Sequence, residues 1–151
     1  MNYADENRGK VQHDARFKQP VLFDGMTFNR ISPTDIDAIT EYHDRFFFIV
    51  ELKYLDEQMS EGQSLCLKRL IDAIEQSSNS RDAILVVGRH GVSDTSQAVM
   101  LKDAYVKKVY WKGAWHNVTR KVTVGEAWSE SMNWAKDKEQ NEKEAIENDT
   151  L

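Results

Sequence analysis

The sequence predicts an α/β protein, a central mixed β-sheet flanked by helices. Three observations carry that expectation. Phe46-Phe47-Phe48-Ile49-Val50 is continuous in apolar residues, as a strand covered on both faces must be. Leu65, Leu67, Leu70, Ile71 and Ile74 recur at helical spacing. Ala83-Ile84-Leu85-Val86-Val87-Gly88 is a second short apolar run between polar clusters, so the helix before it is a crossover that lays it beside the first strand.

Residues 1–16 are polar and predict a loose helix or an arm. Val21-Leu22-Phe23 and Thr27–Ile31 flank Asp24-Gly25-Met26, a turn in which glycine supplies the positive backbone angle. Ile36–Tyr42 alternates and pairs with Phe46–Tyr54 around His43-Asp44-Arg45. Ser60 and Gln63 form a capping-box pattern that opens the helix, and Cys66 is expected to pack in its core. Gln97–Met100 and Lys102–Tyr110 read as extended. Trp111–Trp115 reads as a hairpin turn returning through His116–Thr119. Thr123 and Glu126 are a second capping box, opening a helix that carries Ala127, Trp128, Met132, Trp134 and Ala135. Its apolar content runs out at Asp137, so 17–137 is expected to be a single domain and 138–151 a disordered acidic tail.

Composition narrows the class. At 151 residues, 40% hydrophobic and a mean hydropathy of -0.63, the chain fits one soluble domain with a full core. No apolar run approaches the roughly 18 residues of a membrane span, and the first residues lack a signal-peptide layout. Cys66 is the only cysteine, which points to a reducing cytoplasm and excludes an internal disulfide. The histidines lack ligand spacing, which argues against zinc. The net charge of -5 is unevenly spread. Lys102, Lys107, Lys108, Lys112, Arg120 and Lys121 stand against Asp103 alone, whereas acids dominate from Glu126 onward. That patterning keeps nucleic acid as a partner.

The most specific pattern is a strand ending in Glu51-Leu52-Lys53, preceded by Asp35 and Asp37. Charges at the end of a buried run are costly unless something uses them. Alternation puts Glu51 and Lys53 on one face of their strand, and Asp35 and Asp37 on one face of the strand before it. A hairpin would bring acids and lysine together as the outline of a divalent-metal site. The alternative is an ion pair on a solvated sheet end, with the two aspartates terminating a turn. Lys107, Lys108, Trp111 and Lys112 interleave base and aromatic, a pattern that tracks phosphates and stacks bases, or else gives a hairpin one solvated and one packed face.

Acid, gap and Glu-x-Lys together resemble the PD-(D/E)XK nuclease superfamily, which includes restriction endonucleases, lambda-type exonucleases and archaeal Holliday-junction resolvases. Asp37 best fills the first acid position, with Asp35 its rival; Glu51 and Lys53 fill the others. The name-giving proline is missing before the acid, and Pro33 lies upstream. The resemblance, over about residues 20 to 90, implies a restriction endonuclease-like core and Mg²⁺- or Mn²⁺-dependent hydrolysis of DNA. It implies Asp37, Glu51 and the Leu52 backbone carbonyl as metal ligands, with Lys53 orienting the attacking water. Gln63 matches a helix position that faces the metal in several branches, although its capping role explains it equally well. Glu6 or Asp14 would supply the acid some relatives carry on a first helix. Size suggests a phage, mobile-element, repair or defence enzyme, acting as a homodimer. Two rivals remain: a nuclease-fold binding or regulatory protein that no longer cuts, and a phage-encoded interaction protein acting through its acidic surface.

Overall fold

The computed structural model describes residue 15 and residues 18–150. The arm expected over 1–16 lies, Ala15 apart, outside the described residues, as do Glu6 and Asp14. The chain divides into two compact units, Met1–Pro33 and Thr34–Leu151. In the first, Gly25 takes a φ of 78° in the expected turn, and Met26 N–H donates to the Phe23 carbonyl at 3.0 Å. Phe28 and Ile31 form an isolated bridge around Asn29 and Arg30, both at positive φ. The segments on either side of the turn form no strand beyond that bridge. Val21, Leu22, Met26, Phe28 and Ile31 all remain exposed, so no covered face holds a longer ladder.

The second unit is α/β, a five-stranded mixed sheet whose strands lie side by side in chain order, with one helix packed on each face. Strands β1 (Ala38–Tyr42) and β2 (Phe46–Tyr54) are antiparallel, joined by a tight turn with His43 and Asp44 at positive φ. Strand β1 begins two residues later than the alternation suggested, so Asp35 and Asp37 precede it. The ladder stops at Ala38–Val50 because the Asp37 side chain, not a backbone carbonyl, accepts the Leu52 N–H at 2.6 Å.

Helix α1 (Glu61–Gln76) crosses over to β3 (Asp82–His90), which runs parallel to β2 from Phe46–Asp82 to Tyr54–His90. Leu67 and Ile71 are its buried residues, packed on Ile49, Leu85 and Tyr110. Full burial of each such side chain is worth about 1.5–3 kcal/mol. Cys66 is exposed, contrary to expectation, because the buried stripe runs through Leu67 and its neighbour one turn on.

Gln97–Met100 forms no strand; a 3₁₀ turn at Leu101–Asp103 follows it, the Asp103 N–H donating to the Met100 carbonyl at 3.0 Å. Strands β4 (Tyr105–Trp111) and β5 (Ala114–Asn117) close a hairpin over Lys112 and Gly113, both at positive φ as a two-residue turn requires. Helix α2 (Val124–Asp149) opens with the expected capping box and covers Phe46, Phe48, Val50 and Val86.

It does not fray at Asp137. The polar half continues as helix because its charges dock: Lys138 on buried Asp82, Glu139 on His43 at 2.9 Å, and Glu142 on Arg45. The 138–151 segment is thus mostly helix in this structure. Among the described residues, no helix is long and apolar enough to cross a membrane.

Candidate metal centre

The site forms where β2 leaves the sheet interior. Alternation turns Phe46, Phe48, Val50 and Leu52 toward α2, leaving Ile49, Glu51 and Lys53 on the α1 side. Glu51 is only 4% exposed, although charged. Its Oε1 accepts two hydrogen bonds, from Lys53 Nζ at 2.8 Å and from Gln63 Nε2 at 2.7 Å. Lys53 Nζ also donates to Gln63 Oε1 at 3.1 Å, closing a triangle of three side chains. The triangle holds the carboxylate in one orientation. Its other oxygen, Oε2, is buried and has no hydrogen-bond partner among the described residues.

Gln63 is placed by the start of α1. Ser60 Oγ accepts the Gln63 backbone N–H at 3.1 Å, as an N-cap should. The Gln63 side chain does not return to the cap; it reaches Glu51 and Lys53 instead. Geometry thereby separates two roles that the sequence left equal.

Asp37 sits where the next antiparallel partner of Glu51 would be, and its charge acts on the Glu51 carboxyl. Burial pushes that carboxyl above the usual glutamate range. The Lys53 hydrogen bond pulls it back, and the nearby Asp37 charge raises it further. A strand residue directs its N–H and C=O to the same side, so the Leu52 carbonyl shares the edge on which its N–H meets Asp37. Asp35 is exposed and stands three residues before the first strand, so it does not share a strand face with Asp37.

Among the described residues no three His, Cys, Asp or Glu side chains gather around a metal position. A centre here would use two carboxylates and a carbonyl, a hard oxygen set that suits Mg²⁺ or Mn²⁺ with water completing the shell. The orphaned Glu51 Oε2 fits such an ion, because a buried carboxylate oxygen without a donor is otherwise costly.

The four residues expected to meet nucleic acid are not gathered. A bulge opposite Val87–Gly88 leaves Lys107 and Lys108 between Val106 and Val109, which both pack toward α2. It therefore turns both lysines to the α1 side, the side of Glu51. Lys108 is in register with Val87, itself the partner of Glu51, and its ammonium lies 4.3 Å from the Trp115 ring centre. Trp111 packs on the opposite face against Phe46 and Trp134. Lys112 pairs with Asp82 at the far end of β3. Five strand residues separate that end from Glu51's level, roughly 16 Å. A cation that sequence reasoning missed is Arg89, the parallel partner of Lys53. Only the register of the crossover pairing reveals it, and no local pattern encodes that register.

Compared with family models, curated proteins and solved structures, the chain matches none of them.

Proposed function

We propose that this protein is a Mg²⁺- or Mn²⁺-dependent DNA phosphodiesterase of the PD-(D/E)XK kind, built on a restriction endonuclease-like core and acting in the cytoplasm. One observation carries the reading: Glu51 is buried and fixed through one oxygen by Lys53 and Gln63, while its second oxygen is left without a partner. Glu51, Asp37 and the Leu52 carbonyl would hold the ion. When bound, such an ion lowers the pKa of water and offsets charge on a phosphoryl oxygen. Lys53 keeps its ammonium beside Glu51 and there orients a water or meets a phosphate oxygen. Gln63 limits the rotamers of both.

Incubation with supercoiled, linear and single-stranded DNA, with Mg²⁺ and with Mn²⁺, tests the proposal. Cleavage by the wild type, lost in Glu51→Gln and in Lys53→Ala, is the expected result. Failure to cut any of these substrates with either ion would end it. Binding of DNA without cutting is a second reading, favoured because no third carboxylate joins the centre among the described residues. Calorimetric titration with Mn²⁺ separates the two: heat lost in Glu51→Gln belongs to the metal enzyme.

A further inference from the structure

At the end of β3 a cleft of about 470 Å³ is lined by Arg89, Tyr105, Lys107, Thr119, Arg120 and Lys121, with no carboxylate among the described residues of its wall. Four cations thus converge in a chain whose net charge is -5. They come from separate segments. Arg89 lies on β3, opposite Tyr105 of β4, while the segment after β5 returns beside β4, with Val106 N–H bonded to the Val122 carbonyl at 2.9 Å. Arg89 is also the register partner of Lys53, so the cleft begins one strand from the candidate metal centre, about 5 Å away across the sheet.

The charges are largely uncompensated. Lys107 and Lys121 have no carboxylate partner among the described residues. Arg89 meets Asp56 only at 3.9 Å, and Arg120 meets Glu130 only at 3.6 Å. Clustered exposed cations repel one another, and a polyanion relieves that repulsion. One further contact bears on which part of a nucleic acid fits. Lys121 lies over a face of Tyr105, the aromatic ring in the cleft wall, at 4.9 Å. Ring faces covered by ammonium groups are not stacking platforms, and single-strand binding depends on such platforms.

We infer that this cleft binds the phosphate backbone of duplex DNA, without reading its bases, and leads one strand toward Lys53 and Glu51. The inference rests on the phosphodiesterase reading for its direction, but the binding itself needs no metal.

The test is anisotropy of a short labelled duplex in EDTA over a salt series, comparing the wild type with Arg120→Gln/Lys121→Gln. Both side chains are exposed, so the double variant keeps the fold. Each lost phosphate contact lowers the salt slope by about 0.9, so the double variant should lose about 1.8. Lys136→Gln, on the exposed side of α2, should leave the slope unchanged. An unchanged slope in the double variant overturns the inference. So does tighter binding of single strand than of duplex, or displacement by stoichiometric inorganic phosphate. Absent cleavage, with the slope still falling in the double variant, removes the phosphodiesterase and leaves the cleft; cleavage with no fall in slope does the reverse.

Discussion

The Gln63 amide nitrogen stands 2.7 Å from Glu51 Oε1, so the side chain of Gln63 ties the first turn of α1 to the end of β2 through a carboxylate while its backbone N–H stays on the Ser60 cap. A helix start and a strand end from opposite sides of the loop at residues 55–60 thereby share one polar triangle with Lys53.

Removing the Gln63 side chain should separate its two roles. Gln63→Ala keeps the Ser60 cap bond, which uses the backbone N–H. Loss of a residue that orients a ligand typically costs about 10–100-fold in metal affinity or activity. Cleavage rate and Mn²⁺ affinity should fall by that much while the Tm barely moves. A large Tm drop with unaltered metal affinity would make Gln63 structural only.

Glu51 sets a pH dependence with a definite sign. Its folded pKa lies above the ordinary 4.5, because burial outweighs the pull of Lys53. Stability linked to such a raised pKa is fully present below 4.5 and is lost as pH rises through the folded value. Above that window Glu51→Gln should match or exceed the wild type in Tm. Mn²⁺, which needs the ionised carboxylate, should raise the wild-type Tm increasingly across the same window and leave Glu51→Gln unmoved. Thermal melts over pH, with and without Mn²⁺, check both statements; a metal shift independent of pH would contradict them.

The docking of α2 should fail in acid. Hydrogen bonds from Lys143 and His43 hold Glu139 down to about 2, against an ordinary 4.5. A depressed carboxyl contributes stability above 4.5 that is lost as pH falls toward 2. Hydrogen exchange in the second half of α2 should accelerate over that range in the wild type. Glu139→Gln should show the faster exchange already at neutral pH. Equal exchange in both proteins at neutral pH would remove this pairing as the anchor.

Gly88 lets Leu52 and Val124 pack close against β3. A Cβ there would lie 2.8 Å from Leu52 Cδ2 and 3.1 Å from Val124 Cγ2. Gly88→Ala should overpack the core and cost about 1–3 kcal/mol in urea unfolding. Because Leu52 carries the carbonyl assigned to the metal, Mn²⁺ affinity should fall as well. An alanine variant as stable as the wild type would show that Leu52 can move aside.

Much of the fold was legible residue by residue. The Phe46–Tyr54 strand, the cap at Ser60, the crossover to the Ala83 run and the Thr123–Glu126 box all follow from short-range periodicity, and they stand as expected. Cys66 was misplaced because a stripe of leucines and isoleucines leaves its edge positions ambiguous by one residue. The helix beyond Asp137 was missed for a different reason. Apolar content measures hydrophobic docking, whereas this half is held by Lys138, Glu139 and Glu142 on partners distant in sequence.

For the candidate site, local pattern was enough to put Glu51 and Lys53 on one face, since alternation along a strand is a property of the backbone itself. Tertiary structure alone decided that Gln63 joins them, and that Arg89, Arg120 and Lys121 gather while Trp111 and Lys112 lie elsewhere. Those outcomes depend on parallel register, a bulge and a crossover. These are set by how two cores fill on opposite faces of one sheet, and no window of neighbouring residues contains that information.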